Sequence, residues 1–134
     1  MSVIQQSFQV HFSYNIQFTK NLFAPENSLF IDFLRNYGSP TFKKKILFLI
    51  DEGVAEAHPY LQAAIRKYFA TQDAIELASD ILVLPGGEIV KNQPSYFDKA
   101  LEAIDTYGID RHSFVAAIGG GAFLDMTGYA SAVA

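Results

Sequence analysis

Phe114-Val-Ala-Ala-Ile118-Gly-Gly-Gly121-Ala-Phe-Leu-Asp125 is the stretch of sequence that decides the fold. Five apolar residues run directly into three consecutive glycines, and a segment of small and apolar residues follows. This order predicts a buried strand, a tight turn without Cβ atoms and the first turn of a helix. Such a turn lets a diphosphate approach the N–H groups of a helix N-terminus, where the helix dipole favours negative charge. Glycine-rich turns also occur for packing alone, so the stretch leaves two interpretations open.

Two further apolar runs, Ile46–Ile50 and Ile81–Leu84, have the length of strands that are buried on both faces of a parallel sheet. Helical patterns separate the three runs. One helix is predicted to open at His58-Pro59, and another is predicted from Pro94 to Tyr107. Alternation of strand and helix predicts an α/β fold, with a Rossmann-like parallel sheet and helices on both faces.

The N-terminal segment has a different pattern. From Phe8 to Phe18, apolar and polar residues alternate without a break. This period of two predicts a half-buried β-strand or hairpin ahead of the parallel sheet. A helix is then predicted to begin at Asn27 or Ser28 and to end near Gly38, where it can cover the apolar face of that strand.

The length is that of one domain, since 134 residues fall within the roughly 100–200 typical of a domain. The net charge of −4 argues against nucleic-acid binding, and Lys43-Lys44-Lys45 is predicted to be a solvated entry to a strand. The absence of Cys excludes disulfides and thiolate metal sites. No apolar run approaches the ~18 residues of a membrane span, and no signal peptide is visible. We therefore expect a cytoplasmic domain that binds neither nucleic acid nor membrane.

Each apolar run ends in residues that suit nucleotide binding. Asp51-Glu52-Gly53 follows the first run, Gly86-Gly87-Glu88 the second and Gly119–Gly121 the third. Because ligands bind beyond the carboxyl ends of parallel strands, we expect these loops to lie along one edge of the sheet. A carboxylate there can accept hydrogen bonds from ribose hydroxyls, and Lys91 can pair with Glu88 or reach a phosphate. The alternative is that these acids are ordinary loop residues or helix caps.

Two motifs in the second half of the chain resemble those of a known family. Gly86-Gly87-Glu88-Ile-Val-Lys91 is followed by Gly119-Gly120-Gly121-Ala-Phe-Leu-Asp125-Met-Thr-Gly128-Tyr-Ala-Ser. This resembles the 3-dehydroquinate synthase-like sugar-phosphate cyclases, whose pattern is G-G-E-x-x-K and then G-G-G-x-x-G-D-x-x-G-[FY]-x-A. Asp51 also matches the family, and the resemblance covers residues 45–134. The sequence departs from the pattern at Gly53, where many members have asparagine, and at Leu124, which replaces a glycine.

The resemblance implies a cofactor site and a reaction. It implies that the residues binding NAD are Asp51, Gly53, Glu88, Lys91, Gly119, Gly120, Gly121 and Asp125. Asp51, Glu88 and Lys91 would hold the adenosine and ribose portions, and Gly119–Gly121 would hold the diphosphate. Asp125 would lie near the nicotinamide, as the candidate catalytic residue. In the family, NAD transiently oxidises a hydroxyl of a sugar phosphate, phosphate is eliminated and a carbocycle closes.

The family also implies a part that this sequence lacks. Its members have a second, mostly helical domain. That domain binds zinc or cobalt and makes most of the contacts with the substrate phosphate. Residues 1–134 are predicted to be a single N-terminal NAD-binding domain, and the three histidines match no metal-ligand spacing. We therefore expect an inactive N-terminal fragment of a longer enzyme, with no metal of its own. A homodimer fits the family, and the apolar residues after Asp125 predict self-association.

Two other functions remain open on the sequence alone. The iron-containing alcohol and glycerol dehydrogenases share a glycine-rich turn followed by an aspartate. They match less well, because Thr127-Gly128 follows Asp125 and because Glu88 and Lys91 fit the cyclase motif. The third possibility is a non-catalytic interaction module in which the glycine turn is only structural.

Overall fold

The strand β1 (Lys44–Asp51) is the centre of the fold in the computed structural model, which describes residues 2–38 and 41–134. On one side of β1, β2 (Ile75–Leu77) pairs with its beginning and β3 (Leu82–Leu84) pairs with its end. On the other side, β4 (Phe114–Ile118) pairs along residues 46–50. All of these pairings are parallel, so the predicted α/β fold with a parallel sheet is confirmed.

Helices precede β1 and follow β1, β3 and β4, and they cover both faces of the sheet. In the described residues they are α1 (Leu29–Asn36), α2 (Glu52–Ala57), α3 (Leu61–Ala70), α4 (Ile89–Asn92), α5 (Pro94–Thr106) and α6 (Gly121–Val133). The helix predicted to open at His58-Pro59 is α3, and it begins three residues later, at Leu61. Neither α2 nor β2 was predicted from the sequence.

Alternating side chains of β1 divide the core into two layers. Ile46, Phe48 and Ile50 pack with buried residues of α1 and α3. Leu47 and Leu49 pack on the opposite face with α4, α5 and α6. All five side chains are fully buried, which explains why β1 reads as a continuous apolar run.

The strand or hairpin predicted for Phe8–Phe18 is wrong for this structure. Residues 2–19 have no regular secondary structure, and the apolar side chains of the alternating pattern are exposed. The alternation correctly marks a segment with one apolar face, but a strand also needs a neighbouring edge for its backbone hydrogen bonds. In the described structure residues 2–19 pair with no strand, and α1 covers β1 instead.

The lysine run before β1 also differs from its prediction as a solvated strand entry. Lys44 is buried, with only 4% of its surface exposed. Its ammonium donates hydrogen bonds to the carbonyls of Leu34 (3.1 Å), Arg35 (3.4 Å) and Tyr37 at the end of α1. The carbonyl end of a helix dipole favours a cation, so Lys44 fastens α1 to the central strand.

Candidate functional site

Asp51 is the residue at which the three loops meet. It ends β1 and is the N-cap of α2, and its Oδ1 accepts a hydrogen bond from the N–H of Gly53 at 2.8 Å. This bond satisfies one of the free N–H groups at the start of α2. The carboxylate is therefore held at the carboxyl end of the central strand, and the interpretation of Asp51 as a helix cap is correct.

Two glycines from the neighbouring loops pack directly against Asp51. A Cβ atom added to Gly86 would lie 2.0 Å from Asp51 Oδ2. A Cβ atom added to Gly119 would lie 2.8 Å from Asp51 Cβ and 2.8 Å from Cδ1 of Phe123. All three separations are far shorter than the van der Waals contact of about 3.5 Å. The loops after β1, β3 and β4 are thus in contact along one edge, as the sequence predicts.

Gly120 and Gly121 are in a different environment. Apart from the adjacent residues and the backbone of α6 itself, no heavy atom of the described residues lies within 4 Å of the position that a Cβ would take at either glycine. Gly120 is the N-cap of α6, and no side chain in the described part of the chain caps this helix. The first N–H groups of α6 therefore lack intrahelical partners, and Gly120 and Gly121 are exposed. Such a helix N-terminus attracts an anionic group.

Glu88 is placed at the same edge by the turn before α4. Gly87 has a φ of +72°, in the left-handed region that glycine adopts without strain. Glu88 occupies the N-cap position of α4, but its side chain makes no capping hydrogen bond and is exposed. Val90, which is buried, anchors the turn in the core. Glu88 is consequently exposed to solvent, two residues after Gly86, which packs against Asp51.

Lys91 pairs with Asp125 rather than with Glu88. Its Nζ lies 3.1 Å from Oδ2 of Asp125, and the two side chains are 42% and 71% exposed. This ion pair joins the two motifs that carry the family resemblance, since Lys91 belongs to α4 and Asp125 to α6. Because both groups reach solvent, they are also accessible to a ligand at this edge.

Phe123 had no role in the sequence-based prediction but helps to shape the turn. Its side chain is fully buried in the first turn of α6, and its ring lies under Gly119. The ring fills the space in which a side chain at position 119 would lie. The signal in the sequence is an apolar residue four positions after the first glycine of the run.

The histidines and acidic residues of the described chain do not assemble into a metal site. The described residues contain no group of three or more His, Cys, Asp or Glu residues that could hold a metal ion. His112 stacks on Phe42 with ring centroids 3.9 Å apart, and His58 follows the end of α2.

Among residues 2–38 and 41–134, no helix has the length and apolar character needed to cross a membrane.

Comparison with known proteins agrees with the motifs. Residues 81–134 match the family model of the 3-dehydroquinate synthase N-terminal domain. The chain is 36% identical over 93 residues to a 3-dehydroquinate synthase of Cereibacter sphaeroides (strain KD131), a match that covers 68% of this chain and 23% of the relative. It is 37% identical over 91 residues to one from Ruegeria sp. (strain TM1040), covering 68% of this chain and 22% of the relative. No solved structure matches the chain significantly.

The matched part of the chain thus spans less than a quarter of the length of these curated relatives. The family match begins at β3 and includes the turn at Gly86, the glycine run and all of α6. The chain is therefore related to the 3-dehydroquinate synthases, and its residues 81–134 belong to the N-terminal domain family of these enzymes.

Proposed function

We propose that the chain is the NAD-binding part of a cytoplasmic, 3-dehydroquinate synthase-like sugar-phosphate cyclase, a lyase that eliminates phosphate and forms a carbocycle. The observation that carries this proposal is the convergence of three loops on Asp51, beside an uncapped helix N-terminus. Packing explains Gly86 and Gly119, but it does not explain why Gly120 and Gly121 also lack side chains. A ligand that approaches the backbone closely does explain it.

The residues at this edge fit a dinucleotide. The free N–H groups at the start of α6 suit the diphosphate, and the open space at Gly120 and Gly121 admits it. Asp51 and Glu88 supply carboxylate oxygens that can accept hydrogen bonds from ribose hydroxyls. When bound, NAD supplies a reversible hydride acceptor that can oxidise a substrate hydroxyl. The fold supplies the placement of that cofactor at the end of the sheet.

Asp125 is proposed to lie closer to the reacting end of the cofactor, and its ion-pair partner Lys91 is proposed to bind the nucleotide. Their ion pair is exposed, so each can exchange its partner for a ligand group without burying an unpaired charge. Lys91 can donate to a phosphate or hydroxyl oxygen, and Asp125 can accept from a hydroxyl. Asp125 is the proposed catalytic residue because it lies one turn beyond the glycine run on α6.

The sugar-phosphate substrate and the divalent metal are proposed to bind elsewhere in the enzyme. The described residues offer no cluster that fits zinc or cobalt, so the metal's ligands would come from other parts of the enzyme. The chain covers less than a quarter of its relatives. We therefore propose that this chain alone binds the cofactor but does not catalyse the reaction.

Calorimetric titration with NAD tests the site. In Gly120→Val, a branched side chain would fill the space proposed for the diphosphate, and NAD binding should weaken at least about tenfold. The structure leaves room for the side chain, so the fold should survive with a loss of about 1 kcal/mol at the N-cap.

Gly128→Val is the matched control. Gly128 lies in the same helix and also has open space around its missing Cβ, but it is about two turns away from the glycine run. This variant should bind NAD like the unmodified chain. Equal NAD affinity for Gly120→Val and Gly128→Val, with both variants folded by circular dichroism, would contradict the proposed diphosphate site.

A further inference from the structure

Asp51 and Glu88 are the two carboxylates that could accept hydrogen bonds from ribose hydroxyls, but their surroundings differ. Glu88 is exposed and makes no capping hydrogen bond at the start of α4. Asp51 is only partly exposed, and its Oδ1 already accepts a hydrogen bond from the N–H of Gly53 at 2.8 Å. If this oxygen turned to a ribose hydroxyl, α2 would lose the bond that caps it. The carboxylate of Asp51 is therefore committed to the fold, whereas that of Glu88 is not.

Three glycines, one from each loop, enclose the side chain of Asp51. A Cβ atom at Gly86 would lie 2.0 Å from Oδ2, 2.3 Å from Cγ and 2.4 Å from Oδ1, so the backbone of Gly86 lies directly against the carboxylate. A Cβ atom at Gly119 would lie 2.8 Å from Cβ of Asp51, and one at Gly53 would lie 3.3 Å from Oδ1. The side chain of Asp51 thus fills the space between the three loops.

The strand register places Asp51 between the two neighbouring loops. On one side, Asp51 pairs with Leu84 of β3, two residues before Gly86. On the other side, the preceding residue of β1 pairs with Ile118, which lies directly before Gly119. Because the Asp51 side chain contacts both glycines, its size sets how far apart the loops after β3 and β4 lie.

This separation matters to a ligand that contacts both loops. Under the proposed function, on which this inference rests, ribose hydroxyls reach Glu88 and the diphosphate reaches the start of α6 at Gly120. Glu88 lies two residues after Gly86, and Gly120 directly follows Gly119. A dinucleotide has fixed bond lengths, so it can contact both loops at once only when they are the right distance apart.

We propose that Asp51 is a positioning residue of the cofactor site. Its side chain sets the distance between Glu88 and the glycine run, and it acts on NAD through these two loops rather than by contacting NAD. The family resemblance implies a direct contact instead. The two roles differ in what they require at position 51. A ligand contact requires an oxygen atom there, whereas positioning requires only that the space between the loops is filled.

Moving the filled volume from position 51 to position 86 tests this role. Asp51→Ala empties the space between the loops and Gly86→Ala overfills it, so each should weaken NAD binding about tenfold in calorimetric titration. In Asp51→Ala/Gly86→Ala, the methyl group added at position 86 takes the place of the carboxylate, because the three atoms nearest to it all belong to that group. The double variant should bind NAD within about threefold of the unmodified chain.

Ser113→Ala is the control for a general loss of stability. It lies in the loop at the opposite end of β4 and removes the hydrogen bond from the N–H of Lys45, so it should destabilise the chain and leave NAD affinity unchanged. All affinities are measured where circular dichroism shows folded protein.

Two results separate this inference from the proposed function. If the unmodified chain binds NAD but Asp51→Ala/Gly86→Ala binds no better than Asp51→Ala, the carboxylate itself contacts NAD and the positioning role is wrong. Unchanged NAD affinity in Asp51→Ala would overturn the role as well. If the unmodified chain does not bind NAD, the proposed function fails, and the positioning role fails with it.

Discussion

Two pairs of glycines at the same edge of the sheet lack side chains for different reasons. Gly86 and Gly119 pack against Asp51, and a single added carbon would overlap its neighbours. Gly120 and Gly121 face open space, where an added carbon meets no atom of the described residues. The first pair is required by the fold. The fold does not require the second pair, and the proposed function explains its missing side chains by the approach of a ligand. Under that proposal, the run of three glycines combines a packing role with a ligand-binding role.

Among the variants that test this comparison, Gly119→Ala should have the largest effect on stability. Its Cβ would meet a Cβ on the central strand and a fully buried ring, and neither can rotate away. We expect the free energy of unfolding in urea to fall by about 3 kcal/mol, the upper part of the range for overpacked cores. Gly121→Ala, at the first residue of α6, is the matched variant and should be neutral or slightly stabilising, by about 0.5 kcal/mol. Similar losses in both variants would remove the distinction between the two pairs.

Gly86→Ala should have the next largest effect, because its Cβ would overlap the carboxylate of Asp51. The carboxylate would have to turn away and give up its bond to the N–H of Gly53, at a total of about 2 kcal/mol. Removing the carboxylate with Asp51→Ala should relieve this overlap, so Gly86→Ala should then have little further effect on the urea midpoint.

Asp51→Ala should give no such relief to Gly119→Ala. The atom of Asp51 closest to that position is Cβ, which alanine retains. A double-mutant cycle should therefore show strong coupling between positions 51 and 86, and weak coupling between positions 51 and 119. The opposite order of coupling would mean that the three loops do not meet in the described geometry.

The parts of the fold that could be predicted from the sequence are the elements long enough to show a clear pattern. The central strand β1 and the strand β4 appear as continuous apolar runs, and the helix α5 shows its period and its N-terminal proline. Short elements carry too little pattern. The three residues of β2 form a strand because β1 offers its edge, and α2 begins because Asp51 caps it. These causes are tertiary, so the local sequence does not display them.

For the site, the sequence predicts where the loops lie but not which atoms they bring into contact. The loops lie at one edge because parallel strands end there, and that much follows from strand order alone. Which glycine packs and which faces solvent depends on its distance from Asp51, a quantity that the sequence does not contain. The partner of Lys91 likewise depends on how α4 and α6 are placed, and it is Asp125 rather than Glu88.

The loop before β4, at the opposite end of that strand, provides a contrast to the glycine edge. Oδ1 of Asp110 accepts hydrogen bonds from the N–H of His112 (2.9 Å) and from the hydroxyl of Ser113 (3.0 Å). Oγ of Ser113 in turn accepts from the N–H of Lys45, which ties this loop to β1. The backbone bond from His112 and then the bond from Ser113 lower the pKa of Asp110.

Asp110→Asn should reduce stability in a pH-dependent way without affecting the glycine edge. Because the pKa of Asp110 is lower in the folded chain, its contribution is complete above the pKa of an unfolded Asp and is lost as the pH falls through the folded pKa. Thermal melts should show a lower midpoint than the unmodified chain at pH 7, and the difference should shrink below the folded pKa. NAD affinity at pH 7 should be unchanged. A constant difference down to the most acidic pH would contradict this assignment.

The ion pair between Lys91 and Asp125 should have the smallest effect on stability but a clear effect on NAD affinity. Both side chains are well exposed, so Lys91→Ala should change the free energy of unfolding by less than about 0.5 kcal/mol, and added salt should erase the difference. NAD affinity should nevertheless fall about tenfold, because the lysine faces the proposed nucleotide site. Lys99→Ala removes another lysine, from α5, and should leave NAD affinity unchanged. A large loss of stability in Lys91→Ala would place this pair with Gly86 and Gly119, among the contacts that hold the edge together.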